Sequence, residues 1–169
     1  DAMSTRINLL AIPGIRDAYV TDHAAQKTKD FSMAMYVMDI PFYSESETRL
    51  FGSEDRTKIA SASYSMPDVR ETAEQFESRV FDNNYTAAYF PDVYITDSNT
   101  SQKVLVPASV AVMSALGYND RVAYPWFAPA GFNRGGLGIV SNTDVRLTAG
   151  DRDDLYDNRI NPIANFSDG

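Results

Sequence analysis

The chain has 169 residues, 44% hydrophobic and 22% charged, with a formal net charge of -8, a balance that fits one globular domain over residues 1–169 and excludes whole-chain disorder. The acidic excess excludes the basic face that nucleic acid requires and argues against an anionic membrane surface, and the lack of cysteine removes disulfides, thiolate metal sites and cysteine nucleophiles together. No apolar run approaches the roughly 20 residues of a membrane helix, and Asp1-Ala2-Met3-Ser4 lacks the basic-then-apolar order of a signal peptide.

Residues 7–12 (Ile-Asn-Leu-Leu-Ala-Ile) read as a short apolar strand broken by Pro13-Gly14. Tyr19, Val20, Ala24 and Phe31 among polar neighbours read as a helix over 16–31. Residues 33–40 (Met-Ala-Met-Tyr-Val-Met-Asp-Ile) form a second apolar strand, closed by Pro41. Strand, crossover helix and strand make a βαβ unit, which requires a parallel pair. Ser44-Glu45-Ser46-Glu47 and Gly52-Ser53-Glu54-Asp55 read as solvated loop. Pro67-Asp68 begins a helix over 67–81, with Val69, Ala73, Phe76 and Val80 at helical spacing and Asn83-Asn84 beyond its end. Residues 85–95 alternate as one strand, and Lys103–Val106 returns after the turn at 97–101 to make a hairpin. Pro107 opens a helix to about Leu116 or Tyr118 that is small and apolar nearly all round, and so is expected to be buried. Residues 123–138 are rich in proline, glycine and aromatics, and Trp126 is expected to be buried against the helix that Pro107 opens. Val145–Leu147 reads as a strand, Asp151–Tyr156 as a short helix capped by Asp151, and Ile160–Phe166 as an extended tail. The expected fold class is α/β: a mainly parallel or mixed sheet from 7–12, 33–40 and 85–95, helices on both faces, and irregular Pro/Gly-rich loops.

No catalytic set assembles. His23, the single histidine, lies on a predicted helix beside Asp22 with no nucleophile elbow anywhere, and reads as a surface residue. Asp151, Asp153, Asp154 and Asp157 suggest calcium, but the sixth position from Asp151 is Tyr156 where a calcium loop needs glycine. They read instead as a cap and as charges favoured near a helix N-terminus. Gly131, Gly135, Gly136 and Gly138 fit neither phosphate-binding pattern, because Gly136-Leu137-Gly138 runs into Ile139-Val140-Ser141. No residue is therefore assigned a catalytic, cofactor-binding or metal-ligating role. The alternative from another class is a small α/β hydrolase using Asp or Glu carboxylates, which would need a deep pocket holding them.

Residues 84–166 carry a resemblance. Tyr85-Thr86-Ala87-Ala88-Tyr89-Phe90-Pro91 resembles a YAA-Y-(Y/F)-P strand, and Val104-Leu105-Val106-Pro107-Ala108-Ser109 a V-x-V-P-P-S junction in which Ala108 replaces the second proline. Trp126-Phe127-Ala128-Pro129-Ala130-Gly131 resembles W-x-A-P-A-G, followed by Arg134-Gly135. Leu147-Thr148 with Asp151–Tyr156 resembles LT–E-x-D-x-L, and Ile160-Asn161-Pro162-Ile163 resembles I-N-x-I. Leu9–Gly14 and Tyr36–Pro41 match more loosely. In this order the segments resemble the contractile tail sheath family of phages and related injection machines.

The resemblance implies a structural virion protein, assembled in the host bacterial cytoplasm, without cofactor or metal. It implies stacked six-subunit rings around an inner tail tube, neighbours joined by extended N- and C-terminal arms, and contraction that drives the tube through an envelope. A sheath of a non-viral injector fits equally. The chain does not begin with methionine and resembles a core without its arms, so on its own it is expected to be a monomer.

Overall fold

The computed structural model describes residues 7–45, 49–50, 66–124, 126–129 and 134–166. The two apolar runs near the start become β1 (Leu9–Ala11) and β2 (Met35–Asp39), joined by helix α1 (Ala18–Phe31). They pair in parallel, Leu9 opposite Met35 and Ala11 opposite Val37. A short antiparallel hairpin follows, β3 (Phe42–Tyr43) with β4 (Arg49–Leu50). The loop expected at 52–55, and Ser46-Glu47 of the other expected loop, lie outside the described residues. Helix α2 (Val69–Glu77) precedes β5 (Thr86–Phe90), β6 (Val93–Thr96) and β7 (Lys103–Val106). Helix α3 (Ala108–Val122), β8 (Val140–Thr143), helix α4 (Ala149–Asp157) and β9 (Ile160–Pro162) complete the order.

β1, β2, β5 and β9 form one parallel sheet in that order, and β7, β6 and β8 a separate antiparallel sheet. The parallel strands are apolar on both sides because both sides are covered. On one side Tyr36, Met38, Ala88 and Ile160 pack with Ala24 and Ala25 of α1, Ala73 and Phe76 of α2 and Leu155 of α4. On the other, Val37 packs with Ala108, Ala111 and Val112 of α3. The expected α/β class and the covering of both faces hold.

Three of the helices, α1, α2 and α4, begin with a local side-chain cap. Asp17 accepts from the amides of Tyr19 and Val20 at 3.0 and 3.3 Å to start α1, and Asp68 accepts from Glu71 at 2.7 Å to start α2. Residues Thr21, Ala24, Ala25 and Thr28 put small side chains on the buried stripe of α1, so the helix can lie close to the sheet.

Five expectations are corrected. Residues 85–95 are two strands in two sheets, because the cis Phe90-Pro91 step and Asp92 separate β5 from β6, and proline has no amide to continue a ladder. Val145 and Leu147 are buried but form no strand; the strand lies earlier, at β8. The cap of α4 is Thr148, and Asp151 closes a capping box with it: the Thr148 amide donates to Asp151 at 2.7 Å and the Asp151 amide to Thr148 at 3.2 Å. Helix α3 is not buried all round: Ala108, Ser109, Ala111 and Val112 face the sheet, while Tyr118 and Val122 are exposed. Trp126 is 75% exposed and does not pack into the core. It stacks on Tyr124 instead, ring centroids 4.7 Å apart. Replacing fully buried Leu155 with alanine is expected to lower stability by about 2–5 kcal/mol, while Trp126→Ala is expected to change it by less than about 0.5 kcal/mol. Chemical denaturation of the two variants checks the contrast.

Candidate functional site

In an open parallel sheet, ligands bind beyond the carboxyl ends of the strands, at a point where strand order reverses. Here the order β1-β2-β5-β9 follows chain order, so the described strands have no reversal. The carboxyl edge nevertheless holds the most concentrated polar chemistry of the described core. Arg16 and Asp92 are 6% and 0% exposed, and Asp39 is 1% exposed. Burying such charges is tolerated only when they are paired or fully hydrogen-bonded.

Arg16 follows the β1 turn. Its Nη2 donates to both carboxylate oxygens of Asp92, at 2.8 and 2.7 Å, and its Nη1 donates to the carbonyl of Ile40 at 2.9 Å. The guanidinium also lies over the Phe42 ring, 4.4 Å from its centroid. Asp92, set just after the cis proline step, accepts from the Ala108 amide at 3.3 Å. Its carbonyl accepts from the Asp144 amide at 2.9 Å, which ties in the end of β8. Asp39, the last residue of β2, accepts from the Ser109 amide at 3.0 Å, the Ser109 hydroxyl at 2.7 Å and the Gly14 amide at 3.0 Å. Gly14 has φ +81, a backbone that favours glycine. Burial, reinforced by the Asp39 carboxylate, pushes the nearby Tyr36 phenol up to about 12.

This arrangement explains the start of α3. Pro107 precedes the helix and offers no side-chain cap. The first two helical amides instead go to Asp92 and Asp39, two carboxylates from distant strands, placed where the helix dipole favours negative charge. Ala108, at the position of the second proline in the resembling pattern, supplies an N–H that proline would lack. Most donors and acceptors of the edge are thus directed at one another, while the buried Arg16 Nε makes no hydrogen bond among the described residues.

The residues weighed from sequence lie elsewhere. His23 is exposed on α1, as expected. Asp151 serves the capping box, and Asp153, Asp154 and Asp157 are exposed along α4. Among the described residues, no group of three or more His, Cys, Asp or Glu could hold a metal ion. Gly135, Gly136 and Gly138 lie in the loop before β8, and Gly131 lies outside the described residues. Among the described residues, one open hollow of ≈ 470 Å³ is lined by Ile95, Thr96 and residues 138–141, without an ionisable side chain, and another of ≈ 230 Å³ lies beside Phe76, Glu77 and Asp157. Both carboxylates of the second are solvent-exposed. Sequence reading passed over Arg16, Asp39 and Asp92. A signal was present: Asp39 ends an unbroken apolar run, and Asp92 follows one directly, so any charge there is buried and must find a partner.

No family model matches the chain. A curated relative does.

This chain is similar to a phage tail sheath protein. The relative is the tail sheath protein of Vibrio phage KVP40, 35% identical over 88 residues, which is 52% of this chain and 12% of the relative's length. The similarity supports a sheath-related family.

If the ion pair closes this edge, breaking it is worse than removing it. Arg16→Met alone, which takes the guanidinium away from a buried carboxylate, is expected to destabilise by about 3–5 kcal/mol, and Arg16→Met with Asp92→Leu to recover much of that loss. Urea unfolding of the single and double variants measures both.

Proposed function

We propose that this chain is the core α/β piece of a contractile tail sheath subunit. The subunit polymerises as stacked six-membered rings around an inner tail tube, in the virion tail, after assembly in the host bacterial cytoplasm. Contraction is a switch between two packings of the same subunits. It needs a body that keeps its shape while its contacts change, and no catalysis.

The observation that carries this reading is the similarity to a tail sheath protein. The carboxyl edge supports it. Asp39, Asp92 and Arg16 are engaged in holding β2, β6, α1 and α3 together, so the place where a sheet of this kind would take a substrate is occupied by its own side chains. Extended arms that add strands to a neighbour's sheet would join the subunits through directional main-chain bonds.

Electron microscopy of the full-length chain is expected to show tubes of uniform width. The 169-residue chain alone is expected to sediment as a monomer at micromolar concentration, because contacts without the arms fall below ~1,200 Å² in total. Absence of tubes from the full-length chain, or a stable hexamer from the 169 residues, would count against the reading.

A further inference from the structure

Three aromatic rings at the end of α3 face solvent in a fixed arrangement. Tyr124 and Trp126 are 61% and 75% exposed, yet their planes lie within 4° of parallel. Phe127 packs 5.9 Å from Tyr124, and the Arg134 guanidinium stands 4.8 Å from the Phe127 ring centroid. The loop is pinned from below: buried Asn119 of α3 donates from Nδ2 to the Phe127 carbonyl at 3.0 Å. Tyr118 and Val122, one turn apart on α3, are exposed as well. Scattered exposed apolar residues need no explanation, but a grouped and anchored set marks a contact surface.

The other side of the parallel sheet offers a match. The hollow of ≈ 230 Å³ between the ends of α2 and α4 is lined by Phe76, Val80, Phe81, Glu77, Asp157 and Arg159 among others. Val80 there is 84% exposed. Next to it α4 turns Asp153, Tyr156 and Asp157 outward at positions i, i+3 and i+4, which share one helix face, and Tyr156 is 75% exposed. The hollow thus combines Phe76, Val80 and Phe81 with three nearby carboxylates, Glu77, Asp153 and Asp157, against one cation, Arg159, where the knob has aromatic rings and a cation. Helix α3 packs on one side of the sheet, α2 and α4 on the other.

We propose that the Tyr124–Trp126–Phe127 knob of one copy of this chain seats in the α2–α4 hollow of a second copy, with Arg134 facing Glu77 and Asp157. The occupant follows from charge and placement. In a chain of net charge -8, an arginine at an exposed aromatic group meets its complement on another copy. Because knob and hollow lie on opposite sides of the sheet, the contact is heterologous, and each copy binds one neighbour through its knob and another through its hollow. Such contacts propagate into rings or helical polymers rather than closing as dimers. The inference rests on the sheath reading; the contact is small and adds to the arms rather than replacing them.

The test uses the full-length chain and the critical concentration for polymer formation, read by sedimentation. Arg134→Glu alone, and Glu77→Lys with Asp157→Lys, are each expected to raise it about tenfold, and all three together to restore it to near the wild-type value. Trp126→Ala is expected to raise it comparably while leaving the circular dichroism melting curve unchanged. If wild type polymerises and every variant does so at the wild-type concentration, the knob-and-hollow contact is wrong and the sheath reading stands. Disruption by the single-side variants without rescue in the combination rejects the hollow as the receptor. A wild-type chain that never polymerises removes both.

Discussion

The buried Arg16–Asp92 pair is the constraint on which the rest of the fold depends. A guanidinium and a carboxylate taken out of water must satisfy each other and nearly every remaining donor and acceptor, or the fold loses several kcal/mol per ion. That demand fixes where four segments meet. Arg16 comes from the turn between β1 and α1, Ile40 from the end of β2, Asp92 from the junction between two sheets, and Ala108 from the first turn of α3. Asp39 repeats the pattern one strand over, holding Gly14 and Ser109. A helix that begins with proline and no side-chain cap is stable at this place because two remote carboxylates accept its first amides.

Among the described residues, this edge is therefore occupied by the protein's own side chains. The sheet edge that serves many α/β proteins as a binding crevice is filled, among those residues, by internal polar contacts, and the strands of the parallel sheet follow chain order without a reversal. The exposed features are an anchored aromatic knob, an acidic helix face and a shallow hollow. The core beneath them is closely packed, so they rest on a firm base. That agrees with similarity to a tail sheath protein.

Much of the fold was legible because period and punctuation are local signals. The runs around Leu9–Ala11 and Met35–Asp39, the helix after Asp68 and the 97–101 turn all declare themselves within a window of ten residues. What escaped was decided at a distance. Residues 85–95 alternate only loosely, and Pro91 and the demand on Asp92 carry the chain from one sheet into the next. Leu147 and Val145 are buried by the core without joining a ladder. Trp126 was expected inside on its size and apolar ring, yet where a ring packs depends on what faces it, and nothing in the sequence names the partner. The polar edge was the harder case: Arg16, Asp39 and Asp92 stand 76 residues apart at the extremes, each unremarkable in its own segment.

Native-state amide hydrogen exchange of Ala108 and Ser109 tests the sealed edge most directly. Amides in a helix's first turn ordinarily exchange readily, since they lack intrahelical partners. If Asp92 and Asp39 close this edge, both amides will exchange only with global opening, at rates matching Met38 and Ala88 in the central strands. Exchange of Ala108 and Ser109 through local fraying, at rates well above those of the central strands, would contradict the account.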